Sequence, residues 1–296
     1  MPDWQTISQQ VHATTGISLA PETARSVGGG CINAAYLLQG SLAGDTQPFF
    51  VKTNTAAGLA MFEAEAEGLQ ALADSHSLQV PMPMAYGLAG REAYLMMEYL
   101  PLKSTGDEAQ LGIGLATMHQ TLAEQFGWQR DNTIGSTPQH NPWTADWISF
   151  WAEHRLGFQL EQAGRNGADR AVLRRGETLR HALPAFFTAY QPVPSLLHGD
   201  LWSGNYAFDA QGQPVIFDPA VYFGDRETDL AMTELFGGFS STFYAAYQSA
   251  WPLDTGYATR KTLYNLYHIL NHFNLFGGGY LSQANGMIER LLSECR

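Results

Sequence analysis

Basic residues are scarce in this chain: 16 Lys and Arg stand against 28 Asp and Glu in 296 residues, a net charge of −12. Nucleic acid and anionic membranes both require a basic face, so neither is expected as a main partner. A small phosphorylated ligand stays open, because it needs only one or two local cations and a metal. Cysteine is nearly absent. Cys31 and Cys295 cannot build a disulfide framework, and they fit a reducing cytosol and a cytoplasmic location. No run approaches the ~18 apolar residues of a membrane span. The opening Met1-Pro-Asp-Trp-Gln-Thr lacks the basic region and apolar core of a signal peptide. Internal repeats and low-complexity segments are missing too. What remains, 45% hydrophobic and 15% charged, describes a soluble globular protein of one large or two modest domains.

The densest chemistry lies in Ser195-Leu-Leu-His-Gly-Asp-Leu-Trp-Ser-Gly-Asn205 and in Val215-Ile-Phe-Asp218. A short apolar run enters a polar turn holding His198, Asp200 and Asn205. A hairpin signal follows, with Tyr206–Phe208 and Pro214–Phe217 on either side of a turn containing Gly212. Antiparallel pairing is expected to bring Asn205 and Asp218 to one end of that hairpin. Two hard oxygen donors beside a further carboxylate suit Mg²⁺ shared with phosphates, with Asp200 as a base. An Asp followed five positions later by an Asn, then by an Asp after the next strand, matches the catalytic-loop spacing of kinases.

Upstream, a helix is expected over residues 3 to 15, with Asp3 as its N-cap. Gly28, Gly29 and Gly30, then Cys31, Ile32 and Asn33, precede a strand-like run at Ala34–Leu38. Consecutive glycines there either aim backbone N–H groups at phosphate or form a loose turn. Gly40 to Gln47 reads as a turn and Pro48–Thr53 as a strand carrying Lys52. Met61–Asp74 reads as a helix whose inward stripe of Phe62, Leu69 and Leu72 includes Glu65, while Glu63 and Glu67 fall on a solvated face. A carboxylate on an inward stripe requires a cation, and Lys52 is the expected partner. Such a pair orients the phosphate-binding lysine of kinases. Val80–Pro83 reads as an extended connector and Ala93–Leu100 as a buried strand; position alone suggests the backbone of Met97, Glu98 and Tyr99 for the nucleotide base. The polar stretch from Pro101 to Gln110 is the expected linker between two lobes.

Beyond it the chain turns helical. Leu111, Leu115, Met118, His119 and Leu122 share helical spacing, with His119 read as a satisfied core residue. Helices are expected over 141–163, 169–182, 241–251 and 259–276. Asp225, Glu227 and Asp229 either ligate a metal or cap the helix after them, with Asp229 as the expected structural brace. His268 and His272 could form half of a metal site, or a polar wall of a sugar pocket, or plain helix packing.

Taken together, Leu197-His-Gly-Asp-Leu-Trp-Ser-Gly-Asn205, Phe217-Asp-Pro-Ala220, Gly224-Asp-Arg-Glu-Thr-Asp-Leu230, Met61-Phe-Glu-Ala-Glu65 and Leu270-Asn-His-Phe-Asn-Leu-Phe-Gly277 resemble the fructosamine kinase (ketosamine 3-kinase) family over essentially the whole chain. That family is a branch of the protein-kinase-like fold near the aminoglycoside and choline phosphotransferases. The resemblance implies an α+β, bilobal protein-kinase-like fold, with a small β-rich lobe over residues 1–100 and a larger, mainly helical lobe over 101–296. It implies Asp200 as catalytic base, Asn205 and Asp218 as Mg²⁺ ligands, Lys52 as the cation on ATP with Glu65 as its partner, and residues 28–33 as the phosphate loop. Trp202, His198 and His272 are the expected substrate contacts. The implied reaction phosphorylates the 3-hydroxyl of a ketosamine, a glycated amine such as a ribulosamine, erythrulosamine or fructosamine, and so leads to deglycation. Cys31 matches a cysteine that forms redox-responsive intermolecular disulfides in some relatives; here it is equally well a small buried thiol. The expected molecule is a monomer or a homodimer. Two other readings stand beside this one: a kinase of another small alcohol, such as an aminoglycoside or choline, and a catalytically silent nucleotide-binding scaffold.

Overall fold

The structure is a computed structural model, and it describes residues 2–28 and 32–295. Gly29, Gly30 and Cys31, assigned above to the phosphate loop, lie outside the described residues. Two compact units emerge, residues 1–107 with 207–218, and residues 108–206 with 219–296. The expected division near residue 100 therefore differs from the observed one in two ways: the boundary lies at Asp107, and a twelve-residue segment from the second half of the chain folds into the first unit.

The first unit is a six-stranded sheet flanked by two helices. Helix α1 (Trp4–Thr15) starts at Asp3, whose carboxylate accepts the Thr6 N–H at 3.1 Å, and stops at Gly16 in a left-handed conformation. Strands β1 (Ser18–Leu19), β2 (Arg25–Val27), β3 (Ala34–Leu42) and β4 (Asp45–Thr55) follow, then helix α2 (Leu59–Asp74), β5 (Pro83–Ala89) and β6 (Glu92–Glu98). The sheet order is β1-β3-β4-β6-β5, with β2 also on β3. The turn expected over Gly40–Gln47 shrinks to Ala43-Gly44, both at positive φ, because β3 and β4 pair in full register up to Leu42↔Asp45. Ile7 and Val11 of α1 pack with Leu38, Phe49, Val51 and Met96 on one sheet face. The alternation of β3 and β4 puts Ala35 and Lys52, which lie opposite each other, on the other face.

Segment 207–218 is sewn into this unit by its backbone. Lys103 and Phe208 exchange both N–H···O bonds, at 2.8 and 2.9 Å, and the Ile216 N–H donates to the Gln79 carbonyl at 3.0 Å. Gly106 lies so close to the Phe208 ring that an added Cβ would sit 2.3 Å from it.

The second unit opens with α3 (Glu108–His119). Leu122, expected to continue that helix, lies outside it and is exposed: the chain leaves the helix so that the Leu196 N–H can reach the Thr121 carbonyl at 2.8 Å. A small hairpin, β7 (Asn132–Ile134) and β8 (Thr137–Gln139), precedes α4 (Trp147–Trp151). The helix expected from Asn141 begins only at Trp147, where the Asp146 carboxylate accepts the Ser149 N–H at 2.7 Å. A π-helical stretch over Ala152–Gly157 joins α4 to α5 (Phe158–Arg165), and α6 (Arg170–Ala182) follows. Then come β9 (Ser195–Leu197), β10 (Tyr206–Phe208), β11 (Pro214–Ile216), β12 (Tyr222–Gly224), α7 (Glu227–Thr233), α8 (Ser241–Ala250), α9 (Tyr257–Phe276) and α10 (Tyr280–Glu294). Strands β9 and β12 pair antiparallel, and β10 pairs with β11. Trp147, Trp151, Tyr264, Leu270 and Leu291 belong to the core of this unit. Among the described residues no helix is long and apolar enough to cross a membrane.

Candidate active site

The first unit builds a cation clamp. Lys52 sits on β4 with Ala35 and Leu95 as its neighbours on β3 and β6, and Glu65 lies on the inward face of α2. The Lys52 ammonium donates to Glu65 Oε1 at 2.5 Å and to Asp218 Oδ1 at 2.5 Å. The Lys52 and Glu65 side chains are each 9% exposed, whereas that of Asp218 is 49% exposed. Burial by itself would push the lysine pKa down, but the carboxylates of Glu65 and Asp218 outweigh it and hold the ammonium protonated. Burial also raises the Glu65 carboxyl, against the opposing pull of Lys52. Asp218 adopts φ 56°, in the left-handed region that non-glycine residues rarely occupy. A strained backbone that presents a half-exposed carboxylate beside a buried cation is characteristic of a functional site. Glu63 and Glu67 are half-buried rather than on the solvated face expected for them.

Gly28 follows β2, and Ile32 and Asn33 lead into β3, which pairs antiparallel with β2 from Val27↔Ala35. The Asn33 amide oxygen accepts from Asn54 Nδ2 at 2.7 Å, tying the end of this loop to β4 two residues beyond Lys52. At the far end of the sheet, Met97 is buried within β6 and Glu98 closes the strand. The Glu98 N–H donates to the Met82 carbonyl at 2.9 Å. That donor is therefore engaged within the sheet.

The second unit builds the loop that carries Asp200. A buried carboxylate, Asp229, accepts the His198 N–H at 2.7 Å and the Gly199 N–H at 2.8 Å. Its Oδ2 also meets His119 Nε2 at 3.2 Å, and His119 Nδ1 meets the Tyr247 hydroxyl at 2.9 Å. Burial pushes the Asp229 carboxyl up, but these hydrogen bonds outweigh it and lower the pKa. A depressed folded-state pKa gives stability that is present above the unfolded value, near 3.9, and lost as pH falls through the folded value. Asp229→Asn is accordingly expected to flatten the acid limb of a stability-versus-pH curve below about pH 4; an unchanged acid limb by urea titration would remove this role. Glu227 takes Arg260 in two bonds at 2.7 and 2.9 Å, and Asp225 accepts from Tyr190 at 2.8 Å. Asp229 thus ties the loop down, Asp225 and Glu227 are engaged by Tyr190 and Arg260, and among the described residues no group of three or more His, Cys, Asp or Glu is placed to hold a metal.

Gly199 is irreplaceable on two counts. Its φ is 83°, and an added Cβ would lie 2.0 Å from the Ala220 carbonyl oxygen. Gly199→Ala is expected to destabilise by about 2–4 kcal/mol through backbone strain and overpacking, read as a lower urea midpoint at unchanged slope. His198, expected as a substrate contact, is fully buried, and its Nδ1 accepts the Asp200 N–H at 3.3 Å. The structure makes it a brace of the loop, because its ring faces the interior. Asn205 Nδ2 donates to the Asp200 carbonyl at 2.9 Å, fixing the amide beside the carboxylate it follows in sequence.

Trp202 is 38% exposed and meets Phe236 edge-on with ring centroids 6.5 Å apart. The His272 ring also meets Phe236, with centroids 4.8 Å apart, and its Nδ1 bonds the His268 carbonyl at 2.8 Å. The structure thus connects Trp202 and His272 through Phe236, which the sequence did not single out. Burial drives the His268 pKa down to about 3, so this residue is neutral.

Each in its own unit, Asp218 offers a carboxylate and Asn205 an amide oxygen, donors of the kind that Mg²⁺ takes alongside phosphates and water. Lys52 supplies a permanent cation next to Asp218.

The chain was compared with known proteins. Residues 3–294 match the family model described as fructosamine kinase. The chain is 50% identical over 295 residues to the "probable ketoamine kinase" of Synechocystis, covering 98% of this chain and 97% of that one. It is 46% identical over 271 residues to the chloroplastic protein-ribulosamine 3-kinase of Arabidopsis thaliana, covering 90% and 82%. Among solved structures, a candidate fructosamine-3-kinase from Thermobifida fusca superposes with a TM-score of 0.82 at 32% identity, covering 97% of this chain and 98% of that one. The choline kinase of Streptococcus pneumoniae, at 13% identity and a TM-score of 0.64 over 98% and 99%, shares the fold alone. The protein-kinase-like fold and the use of ATP follow, and the chain belongs to the fructosamine kinase family, as a phosphotransferase acting on a hydroxyl group.

Proposed function

We propose that this protein transfers the γ-phosphoryl group of ATP, with Mg²⁺, to the 3-hydroxyl of a ketosamine. The observation that carries the reading is the Lys52 ammonium held at 2.5 Å by both a buried Glu65 and a half-exposed Asp218. This arrangement presents a fixed positive charge and a carboxylate to incoming phosphates. The names of the relatives, ketoamine kinase and ribulosamine 3-kinase, support the acceptor class.

In this reading Asp200 orients the sugar hydroxyl and accepts its proton as the oxygen attacks phosphorus. Lys52 offsets charge on the phosphates, while Asn205 and Asp218 would hold Mg²⁺, which would supply neutralisation of the charge that develops on the phosphates. Trp202 and His272 offer an aromatic face and an imidazole to the sugar-amine. Little covalent work falls to the protein, so positioning and electrostatics carry the rate. As in the family it resembles, the 3-phosphate is expected to leave and release the amine. A single panel tests the acceptor: ribulose-, erythrulose- and fructose-derived lysine adducts, choline and kanamycin, each with Mg-ATP. Phosphorylation of the ketosamines, with at least ~10-fold lower turnover of choline and kanamycin, is the expected outcome, equivalent to a difference of about 1.4 kcal/mol. Preference for choline or kanamycin would replace the acceptor, and binding of Mg-ATP without any product would favour a silent scaffold.

A further inference from the structure

Behind the Asp200 loop the second unit contains a run of amides, buried at Asn141 and Gln139 and half-buried at Asn132, that starts at a buried cation. Arg155 lies on the π-helical stretch and is fully buried, with its guanidinium 4.2 Å from the centre of the Tyr222 ring and 4.6 Å from that of Phe150. Its Nη2 donates to Asn141 Oδ1 at 2.6 Å, and its Nη1 donates to the His140 carbonyl at 2.7 Å. Asn141 Nδ2 donates to Asn132 Oδ1 at 3.0 Å, and Asn132 Nδ2 donates to the Val221 carbonyl at 2.8 Å. Gln139 joins from the next strand: its Nε2 donates to Asn132 Oδ1 at 2.9 Å and to the Ala220 carbonyl at 3.1 Å, while its Oε1 accepts the Tyr267 hydroxyl at 2.8 Å.

One path of donors leads from the cation through Asn141 and Asn132 to the Val221 carbonyl, and Gln139 donates to the Ala220 carbonyl beside it. Ala220 in turn donates its N–H to the His198 carbonyl at 2.8 Å, and its own carbonyl is the atom against which Gly199 is packed. The relay therefore ends on the backbone immediately before Asp200. A charge at one end polarises a chain of amides along its length, which strengthens each bond in a low-dielectric interior. A nearly fully buried glutamine that satisfies two groups at once also has one permitted orientation.

We propose that Gln139 is a positioning residue for the phosphotransfer reaction, holding the Ala220 carbonyl, and through it the His198–Asp200 loop, in the geometry the base requires. The proposal rests on the reading of Asp200 as base. It assigns a role to the β7–β8 hairpin, which bears no residue of the candidate active site.

Gln139→Leu removes the donor to Ala220 and the acceptor for Tyr267 at nearly constant size. The expected result is a fall in kcat of about 10–100-fold, from the sensitivity of catalysis to small misplacements, with KM for ATP within about threefold. Gln139→Glu supplies a second readout. The ionised carboxylate cannot donate to Ala220, so its activity relative to the parent protein should rise as pH is lowered and the protonated form regains a donor. A core variant distant from the loop, Leu291→Ala, controls for lost stability, and is expected to keep kcat at a comparable loss of Tm. Hydrogen exchange at residues 196–202 gives a measurement that does not depend on the substrate: exchange should quicken in Gln139→Leu and not in Leu291→Ala. A Gln139→Leu kcat within twofold of the parent, or an equal fall in Leu291→Ala, overturns the proposal. If Gln139→Leu does not fold, the pH trend of Gln139→Glu decides, and a flat ratio overturns it. Retained activity in Asp200→Ala would instead overturn the reading of the base, leaving the exchange result to judge the relay by itself.

Discussion

Asp200→Ala is expected to lower kcat by about 10³-fold or more, which corresponds to roughly 4 kcal/mol of lost transition-state stabilisation. The residue lies on a loop whose backbone is pinned at His198 and Gly199 by Asp229, so removing its side chain leaves the loop in place. ATP affinity should change by less than about threefold, since the group assigned to the phosphates is Lys52 and the substitution leaves its ion pair with Asp218 intact. The measurement is a single-turnover phosphorylation assay paired with nucleotide binding by calorimetry. An Asp200→Ala protein with parental turnover would dismiss Asp200 as base, while joint loss of binding and turnover would make it a structural residue.

Lys52→Met is expected to be costly twice over. Glu65 would lose the cation that compensates its burial, and breaking a buried pair from one side typically costs about 3–5 kcal/mol. The arm to Asp218 adds little to that figure, because the Asp218 side chain is 49% exposed and water screens it. Turnover should fall by about 10²–10³-fold, the scale of removing one preorganised charge from a transition state. The two effects separate in the double variant Lys52→Met/Glu65→Leu. Without a buried carboxylate it should regain most of the lost stability in urea titrations, yet remain as inactive as the single variant. Recovery of activity in the double variant would show that Lys52 serves folding alone. The sign of the pH dependence agrees with a structural and a chemical role together. A lysine raised by its partners contributes stability that is complete below the ordinary lysine pKa, near 10.4, and lost only as pH rises through the folded value. The clamp is therefore intact throughout the neutral range.

Much of this arrangement was legible because it is local or periodic. The period of two in β4 and the helical stripe of α2 turn Lys52 and Glu65 toward the same interior, and a carboxylate on an apolar stripe already demands a cation. Helix α1 and its Asp3 cap were legible for the same reason, a few residues acting within one turn. The errors arise where a distant segment competes. Helical spacing ran on to Leu122, but the backbone there bonds the segment around Ser195. His198 looked like a reachable imidazole beside Asp200, and its burial depends on the core of the second unit. The strand β5 left no clear alternation, since Pro83 and Gly87 interrupt it, and it is established by pairing with β6.

Taken alone, the sequence determined the inventory from which the proposed site is drawn: Asp200, Lys52 with Glu65, the oxygen donors Asn205 and Asp218, and an excess of acidic over basic residues. Those are properties of residue type and short spacing, which a chain carries before it folds. Tertiary structure decided which groups meet. It folded residues 207–218 into the unit that contains Lys52, giving that lysine a second carboxylate 166 positions away in the chain. It also placed Arg155, Asn132 and Gln139 behind the Asp200 loop, where no motif marks them. Hydrogen bonds between buried groups depend on distance and direction, and neither is encoded in the separation of two residues along a sequence.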